Sequence, residues 1–166
     1  MQNRRHILIT KIDKLNDRSI ELAKKTLEIE GLAIQKLREN LHNSGYAKSF
    51  SSAIQILLNC KGRIVVSGMG KSGHIGGKIA ATLASTGTPA FFVHPGEAGH
   101  GDLGMITRED VLLALSHSGD SSEVLTILPM LKRLGIPLIA MTGKPDSPLA
   151  RQADVALDTA IQEEAC

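Results

Sequence analysis

From residue 63 to residue 158 the chain alternates short apolar runs with segments that have helical spacing. The apolar runs lack the apolar/polar alternation of a strand with one face in water, so they favour strands buried on both faces. Strands of that kind separated by helices form a parallel sheet covered on both sides. We therefore predict an α/β fold, a three-layer doubly wound sheet of five parallel strands. The predicted strands are RIVVSG at 63–68, AFFV at 90–93, DVLLALS at 110–116, IPLIAMTG at 136–143 and DVALD at 154–158.

Two helices are predicted ahead of this sheet. From Asp17 to about Leu41, apolar residues recur at spacings of three and four, which predicts a long amphipathic helix capped by Asp17 or Ser19. A second helix is predicted over 49–59, with Gly62 as its stop signal. We expect residues 1–60 to pack on the domain or on a partner subunit, and residues 61–166 to form the sheet domain.

Charge and composition exclude several classes of function. The 19 Lys and Arg residues against 17 Asp and Glu give a formal charge of only +2, and the few aromatic residues leave little surface on which bases can stack, so nucleic acid is disfavoured as a partner. The apolar stretch in MQNRRHILIT is too short for a secretory signal, which favours a cytoplasmic protein without a membrane segment. Cys60 and Cys166 lie far apart without metal-ligand spacing, so we expect neither a disulfide framework nor a structural zinc site.

The loop GMGKSGHIG at 68–76 follows the first predicted strand. Its glycines satisfy G-x-G-x-x-G, but the second strand runs into His94 and Pro95, with the acidic Glu97 only later, so a dinucleotide site is disfavoured. A P-loop would need glycine at position 65, where the chain has Val65. What remains is a helix start at which Lys71 and Ser72 receive an anion, or a tight turn with a solvated lysine.

The loops SHSGDSSE at 116–123 and HPGEAGHGDLG at 94–104 follow the third and second strands. The serines of the first suit a phosphate monoester, although the segment from Asp120 to Glu123 also fits a capping box. His94 and His100 in the second suit proton transfer or hydrogen bonding. No third ligand has characteristic spacing, so no metal is required and His94 is at most an adventitious zinc ligand.

These loops carry a resemblance to a known family. The stretches GMGKSGHIGGKIAATLASTGTPAFFVHPGEAGHGDLGMIT, SHSGDSSEVLTILPMLKRLGIPLIAMTGKPDSPLARQADVALD and EEAC, over residues 61–166, are similar to the sugar isomerase (SIS) domain. Within that family, HPGEAGHGDLG resembles the bacterial arabinose 5-phosphate isomerases of the Kdo branch of lipopolysaccharide synthesis. The resemblance implies a sugar-phosphate substrate, with D-arabinose 5-phosphate and D-ribulose 5-phosphate interconverted through an enediol and no cofactor.

The resemblance also implies roles for particular residues. Glu164 or Glu123 would be the base, Lys71 would supply positive charge to the enediolate, and His100 would assist proton transfer or sugar opening. The four catalytic positions implied are Lys71 in GMGKSG, His100 in EAGHGD, Glu123 in SGDSSE and Glu164 in EEAC. Substrate or phosphate contacts are implied for Ser72, Gly87, Thr88, His94, His100, Ser116, Ser118 and Ser121.

The family pattern continues past EEAC with a further phosphate loop, a long helix, a His-Pro-Gly-Gly segment and usually CBS domains. We therefore expect these 166 residues to form a C-terminally incomplete SIS domain with little or no activity alone. The alternative is a SIS module that binds a sugar phosphate without catalysis. The resemblance further implies a homo-oligomer, a dimer or a tetramer.

Overall fold

A computed structural model describes residues 2–98 and 101–165, with side chains described from residue 16 onward apart from that of Asp102. The chain divides into two compact units. One comprises the residues up to Asn40 together with those from Ile161 onward, and the other runs from Leu41 to Ala160. No helix among the described residues is both long and apolar enough to cross a bilayer.

The first unit is built on one long helix, α1 (Gln2–Asn40). The prediction that this helix begins at Asp17 or Ser19 is wrong, because α1 starts well before either residue. Residues 2–16 contain no glycine or proline that would interrupt a helix, so nothing in the local sequence stops it there. Apolar side chains along α1 are exposed, among them Ile20, Leu27 and Ile34.

The second helix, α2 (Ser44–Leu58), belongs to the sheet unit. It begins before the predicted residue 49 because the side chain of Asn43 caps it, accepting hydrogen bonds from the N–H groups of Gly45 and Tyr46. The Tyr46 hydroxyl donates to the carbonyl of Asp158 at 3.1 Å, which fixes α2 against the last strand of the sheet. The sheet unit therefore starts at Leu41, whereas the predicted boundary follows residue 60.

The sheet has five strands, all parallel, in the order β2-β1-β3-β4-β5. This is the flavodoxin-like order of doubly wound folds, so the predicted fold class is confirmed. Each predicted strand is present, shortened by at most two residues at an end. The strands are β1 (Ile64–Gly68), β2 (Ala90–Val93), β3 (Val111–Leu115), β4 (Leu138–Thr142) and β5 (Val155–Asp158).

Helices cover both faces of the sheet. Alternate strand residues point to opposite faces, and the buried apolar residues accordingly form two clusters. One cluster joins Val65, Leu112 and Ala140 to α5 (Ser122–Leu134). The other joins Ile64 and Val66 to α2 and to α3 (Gly70–Ser85). The remaining helices are the short α4 (Pro95–Ala98) and α6 (Pro148–Gln152), and a 3-10 turn spans Asp102–Met105. With two helical layers around one sheet, the three-layer prediction is confirmed.

A buried carboxylate joins the starts of β1 and β3. Asp110 is 1% exposed and accepts hydrogen bonds from the backbone N–H groups of Arg63 at 2.7 Å and Thr107 at 2.8 Å, and from the Arg63 guanidinium at 3.3 Å. Burial raises the pKa of this carboxyl, but these hydrogen bonds outweigh burial and hold the pKa below its ordinary value. The same guanidinium lies 4.6 Å from the centre of the Phe91 ring, on β2.

Replacing Asp110 tests this contact. We expect Asp110→Ala to lower the free energy of unfolding at neutral pH by about 2 kcal/mol, because three N–H donors lose a charged acceptor. Since the folded pKa is the lower one, this stabilisation is present above the unfolded pKa and is lost as the pH falls through the folded pKa. Urea unfolding at several pH values measures it, with the exposed neighbour in Glu109→Ala as control. Equal stability of the two variants at neutral pH would contradict the interpretation.

Candidate active site

The strand order reverses between β1 and β3, because β1 is followed in sequence by β2 on one side and β3 lies on the other. Gly68 at the end of β1 is in register with Leu115 at the end of β3. The loops that leave these strands therefore start side by side at the carboxyl edge of the sheet. In doubly wound folds ligands bind at this position.

The turn from β1 into α3 is packed closely enough to need glycine. A Cβ built on Gly73 would lie 2.6 Å from the carbonyl oxygen of Gly68, and Gly70 has a φ of +53°. Met69 at the N-cap makes no side-chain capping bond, so the first N–H groups of α3 have no side-chain acceptor from the cap. Lys71, exposed, and Ser72, half-buried, lie in this first turn. The arrangement suits an anion.

The loop after β3 brings two serine hydroxyls together. The hydroxyl oxygen of Ser116, which is 4% exposed, lies 2.9 Å from that of Ser121 and accepts a hydrogen bond from the N–H of Gly119 at 3.1 Å. Ser118 accepts from the N–H of Asp120 at 3.3 Å. The predicted phosphate-binding serines Ser116, Ser118 and Ser121 thus lie in one short loop at the start of α5.

The capping-box alternative for this loop is wrong. Ser121 is the N-cap of α5 but makes no side-chain capping bond, because its hydroxyl faces Ser116. Glu123 accepts a hydrogen bond from the Ser122 hydroxyl at 3.0 Å. With no side-chain cap, the N-terminus of α5 can donate its N–H groups to an external anion.

Glu123 lies near His94. The backbone N–H of Glu123 itself, then the Ser122 hydroxyl, and more weakly the attraction of His94, hold the pKa of the Glu123 carboxyl below its ordinary value. His94 follows β2 directly, and α4, which begins at the next residue, packs against α5. Both side chains are exposed, so the Glu123 carboxylate is ionised at neutral pH and accessible.

The loop that carries His94 is held by its apolar residues. Ala98, Leu103 and Ile106 are buried in the cluster beneath α5. His100 lies outside the described residues, so its implied role in proton transfer stays a prediction. No three described His, Cys, Asp or Glu side chains are grouped so as to hold a metal ion.

Gly119 joins the serine loop to the loop after β4. Its φ is +63°, and a Cβ built on it would lie 2.0 Å from the Ser147 hydroxyl oxygen. Its carbonyl accepts a hydrogen bond from the N–H of Leu149 at 3.0 Å, while Ser147 caps α6 by accepting from the N–H of Ala150. The path of the serine loop is therefore set by α6 as well as by β3.

Three residues at this edge, His117, Thr142 and Gly143, escaped the sequence analysis. The Thr142 hydroxyl donates to the carbonyl of His117 at 3.3 Å, and the N–H of Gly143 donates to the same carbonyl at 3.0 Å. A Cβ built on Gly143 would lie 2.5 Å from the His117 ring, so glycine there lets the ring pack on the backbone. His117 is exposed between Ser116 and Ser118. The position of His117 between two predicted site serines is the sequence signal that could have identified it.

Two of the implied residues of the sheet unit are not brought to this edge. Gly87 and Thr88 precede β2 and so lie at the amino end of a parallel strand, opposite the serine loop. Glu164 lies in the segment from Ile161 onward, in the unit of α1. There Glu163 pairs with Lys25 at 3.4 Å, and the Thr26 hydroxyl donates to the carbonyl of Ala165 at 3.5 Å. The sheet unit alone therefore assembles Lys71, Ser72, His94, Ser116, Ser118, Ser121 and Glu123.

Substituting Gly119 tests the contact with Ser147. We expect Gly119→Ala to lower the free energy of unfolding by about 3 kcal/mol. An alanine there would be forced into a left-handed φ, and its Cβ would overlap Ser147. Gly135→Ala is the matched control, since Gly135 also has a positive φ, +74°, but has open space around a Cβ. We expect about 1 kcal/mol for the control in the same urea unfolding experiment. Equal losses would show that the overlap does not matter.

Comparison with known proteins gives one consistent family. The model of the SIS domain matches residues 56–166. The chain is 56% identical over 147 residues to arabinose 5-phosphate isomerase KdsD of Pseudomonas aeruginosa, covering 89% of this chain and 44% of that protein. It is 52% identical over 146 residues to KdsD of Salmonella typhi, covering 88% of this chain and 43% of that protein. The chain thus spans less than half the length of these curated relatives.

The fold is also shared with a solved structure. The Escherichia coli protein c3406, determined in complex with arabinose 5-phosphate, matches with a TM-score of 0.82 and 42% identity, over 91% of this chain and 78% of that one. The sequence match, the strand order and the serine loop at the β1/β3 reversal agree with one another. On this evidence the chain belongs to the SIS domain family.

Proposed function

We propose that the chain is the sugar-phosphate-binding and catalytic SIS domain of an aldose–ketose isomerase that interconverts D-arabinose 5-phosphate and D-ribulose 5-phosphate. The observation that carries the proposal is the pair of hydroxyls of Ser116 and Ser121 at an α5 N-terminus without a side-chain cap. The relatives that bear the name of this isomerase, and the Escherichia coli complex with arabinose 5-phosphate, support the choice of substrate.

The phosphate group binds first in this proposal. The hydroxyls of Ser116, Ser118 and Ser121 donate to its oxygens, together with N–H groups at the start of α5. Lys71 and Ser72 approach from the adjacent turn after β1. Binding the phosphate through hydroxyls, amides and one ammonium group fixes the far end of the sugar, so that its first two carbons always meet the same protein groups.

The proton transfer follows. A carboxylate, Glu123 or Glu164, removes the proton from C2 of the open-chain aldose, and the electron pair moves toward the carbonyl oxygen on C1 to give an enediolate. The positive charge of Lys71 stabilises that oxygen. Return of the proton to C1, and transfer of the hydroxyl proton from O2 to O1, gives the ketose. His100 assists the proton transfers or the opening of the sugar ring.

The exposed apolar side chains of α1 support a further part of the proposal, a homo-oligomer in which they are buried against a second copy. Whether it is a dimer or a tetramer stays a prediction. Gly87 and Thr88, at the opposite edge of the sheet from the serine loop, contact substrate in this proposal only across such an interface. The cytoplasmic location, expected from the short apolar stretch in MQNRRHILIT, and the place in lipopolysaccharide synthesis, which the family resemblance implies, likewise stay predictions.

Thermal unfolding tests the phosphate site without requiring turnover. At about ten times its Kd, arabinose 5-phosphate should stabilise the chain by about 1.4 kcal/mol, which corresponds to a rise in Tm of roughly 3–6 °C. Ser116→Ala and Ser121→Ala should remove most of that rise, because each deletes a donor to the phosphate. Ser51→Ala, on the exposed face of α2, is the matched control. An unchanged rise in both site variants would place the phosphate elsewhere.

Turnover tests the chemistry. Incubation with arabinose 5-phosphate, followed by measurement of ribulose 5-phosphate, should give slow conversion by this chain. Lys71→Ala, and Glu164→Ala combined with Glu123→Ala, should each lower the rate by about 100-fold or more, because the first removes the charge that stabilises the enediolate and the second removes both candidate bases. Lys78→Ala, an exposed lysine on the same helix as Lys71, should leave the rate unchanged.

Three outcomes would change the proposal. Conversion that survives in both variants would contradict the assigned residues. Conversion at the rate of a full-length relative would contradict the expectation that further chain completes the site. Stabilisation by arabinose 5-phosphate without any conversion would leave a domain that binds the sugar phosphate and needs further chain for catalysis.

A further inference from the structure

A second cleft lies at the opposite edge of the sheet from the serine loop. Its volume is about 410 Å³, within the range of roughly 300–1,000 Å³ that is usual for small-molecule sites. It is bounded by the end of α2 and by the segments that lead into β1, β3 and β4. Because the strands are parallel, these segments all lie at the amino ends, so the cleft shares no residue with the proposed isomerase site.

The cleft has apolar walls and a polar rim. Ile56, Val111 and Pro137 line it with hydrocarbon. The rim carries four long or amide side chains that end in N–H donors, and none of them makes a hydrogen bond or ion pair to another described residue. They are Gln55, Asn59, Lys61 and Arg108. Small-molecule sites are mostly apolar hollows with a few polar groups that orient the ligand, and these exposed donors can supply such groups.

The net charge on the rim indicates the charge of the ligand group that would bind there. Lys61 and Arg108 contribute two positive charges and Glu109 contributes one negative charge. Asp110 also borders the cleft, but its carboxylate is engaged by Arg63 and Thr107. The rim therefore carries one net positive charge, which matches a singly charged anion better than a phosphate dianion.

We propose that this cleft is a second ligand site, which binds a small organic monocarboxylate with an apolar body. The carboxylate is held by Lys61 and Arg108, and the body packs on Ile56, Val111 and Pro137. The site is independent of the isomerase chemistry, since its residues lie at the end of α2 or at the amino ends of the strands, away from the serine loop.

Cys60 provides a reporter inside the cleft. It is half-buried, lines the cleft, and its thiol donates to the carbonyl of Glu109 at 3.4 Å. Iodoacetate and iodoacetamide alkylate a thiolate in the same way: the sulfur–carbon bond forms, the carbon–iodine bond breaks, iodide leaves, and the thiol proton passes to solvent. The two reagents differ chiefly in charge, so the ratio of their rates at Cys60 reports anion preference. Peptide mass spectrometry separates Cys60 from Cys166.

The first experiment compares that ratio in native and urea-unfolded chain. We expect the iodoacetate-to-iodoacetamide ratio at Cys60 to be at least about threefold higher in the native state, the effect of one net charge a few ångström away. Lys61→Ala combined with Arg108→Ala should reverse the preference, because Glu109 then leaves one net negative charge, and Glu109→Gln should increase it. The control pair, Lys78→Ala combined with Lys144→Ala, removes the same amount of charge at positions outside the cleft and should preserve the preference for iodoacetate. Equal native and unfolded ratios, an unreactive native Cys60, or loss of preference in the control pair would overturn the proposal.

The second experiment measures ligand binding by protection. Benzoate, a monocarboxylate with an apolar ring, should slow alkylation of native Cys60 by iodoacetamide, and benzyl alcohol should protect far less. The combined Lys61→Ala and Arg108→Ala variant should lose protection by benzoate. Absence of protection, or equal protection by the alcohol, would overturn the assignment of a carboxylate ligand. Arabinose 5-phosphate turnover plays no part in either readout, so failure here is distinguishable from failure of the proposed function.

Discussion

The pairing of β1 with β3 is the contact on which the candidate site depends. Strand order reverses at this pair, so the helices that follow them lie on opposite faces of the sheet and the two loops part above it. The register of Gly68 with Leu115 starts those loops level with each other. At the other end of the same pair, Asp110 binds the backbone of Arg63 and fixes the relative position of the two strands. The crevice at the carboxyl edge thus depends on the order and register of two strands whose amino ends are held together by Asp110.

Much of the fold could be predicted because its strands are buried on both faces. The run AFFV coincides with β2, and the other strands differ from prediction only at their ends. Helix starts were predicted less well, because a residue of the capping type marks a start only where the preceding residues are not themselves helical. Asp17 and Ser19 resemble caps yet lie inside α1, whereas Asn43, which does cap α2, precedes the apolar pattern by several residues.

The candidate site was predictable as far as local composition defines it. The serines after β3 stood out because four occur within a few residues. Whether Ser121 caps the helix or meets Ser116 depends on the path of the loop, which Gly119 and the neighbouring α6 determine. The contact of His117 with Thr142 and Gly143 depends on β3 lying beside β4. Gly87 and Thr88 came from resemblance alone, which carries over residue identities without their positions in space.

The side chain of Ser147 fills the space that a side chain at position 119 would need, and this restricts which substitutions the chain can accept. Any larger residue at 119 is strained by the left-handed φ and also overlaps both the hydroxyl oxygen and the Cβ of Ser147, so only an exchange of Ser147 for glycine would remove that overlap. Ser147 also caps α6, so that first exchange weakens a helix before it permits anything new. The order of substitutions therefore matters, and each single step toward a different loop passes through a less stable chain. A residue in the neighbouring loop thereby protects the serine loop from gradual sequence drift.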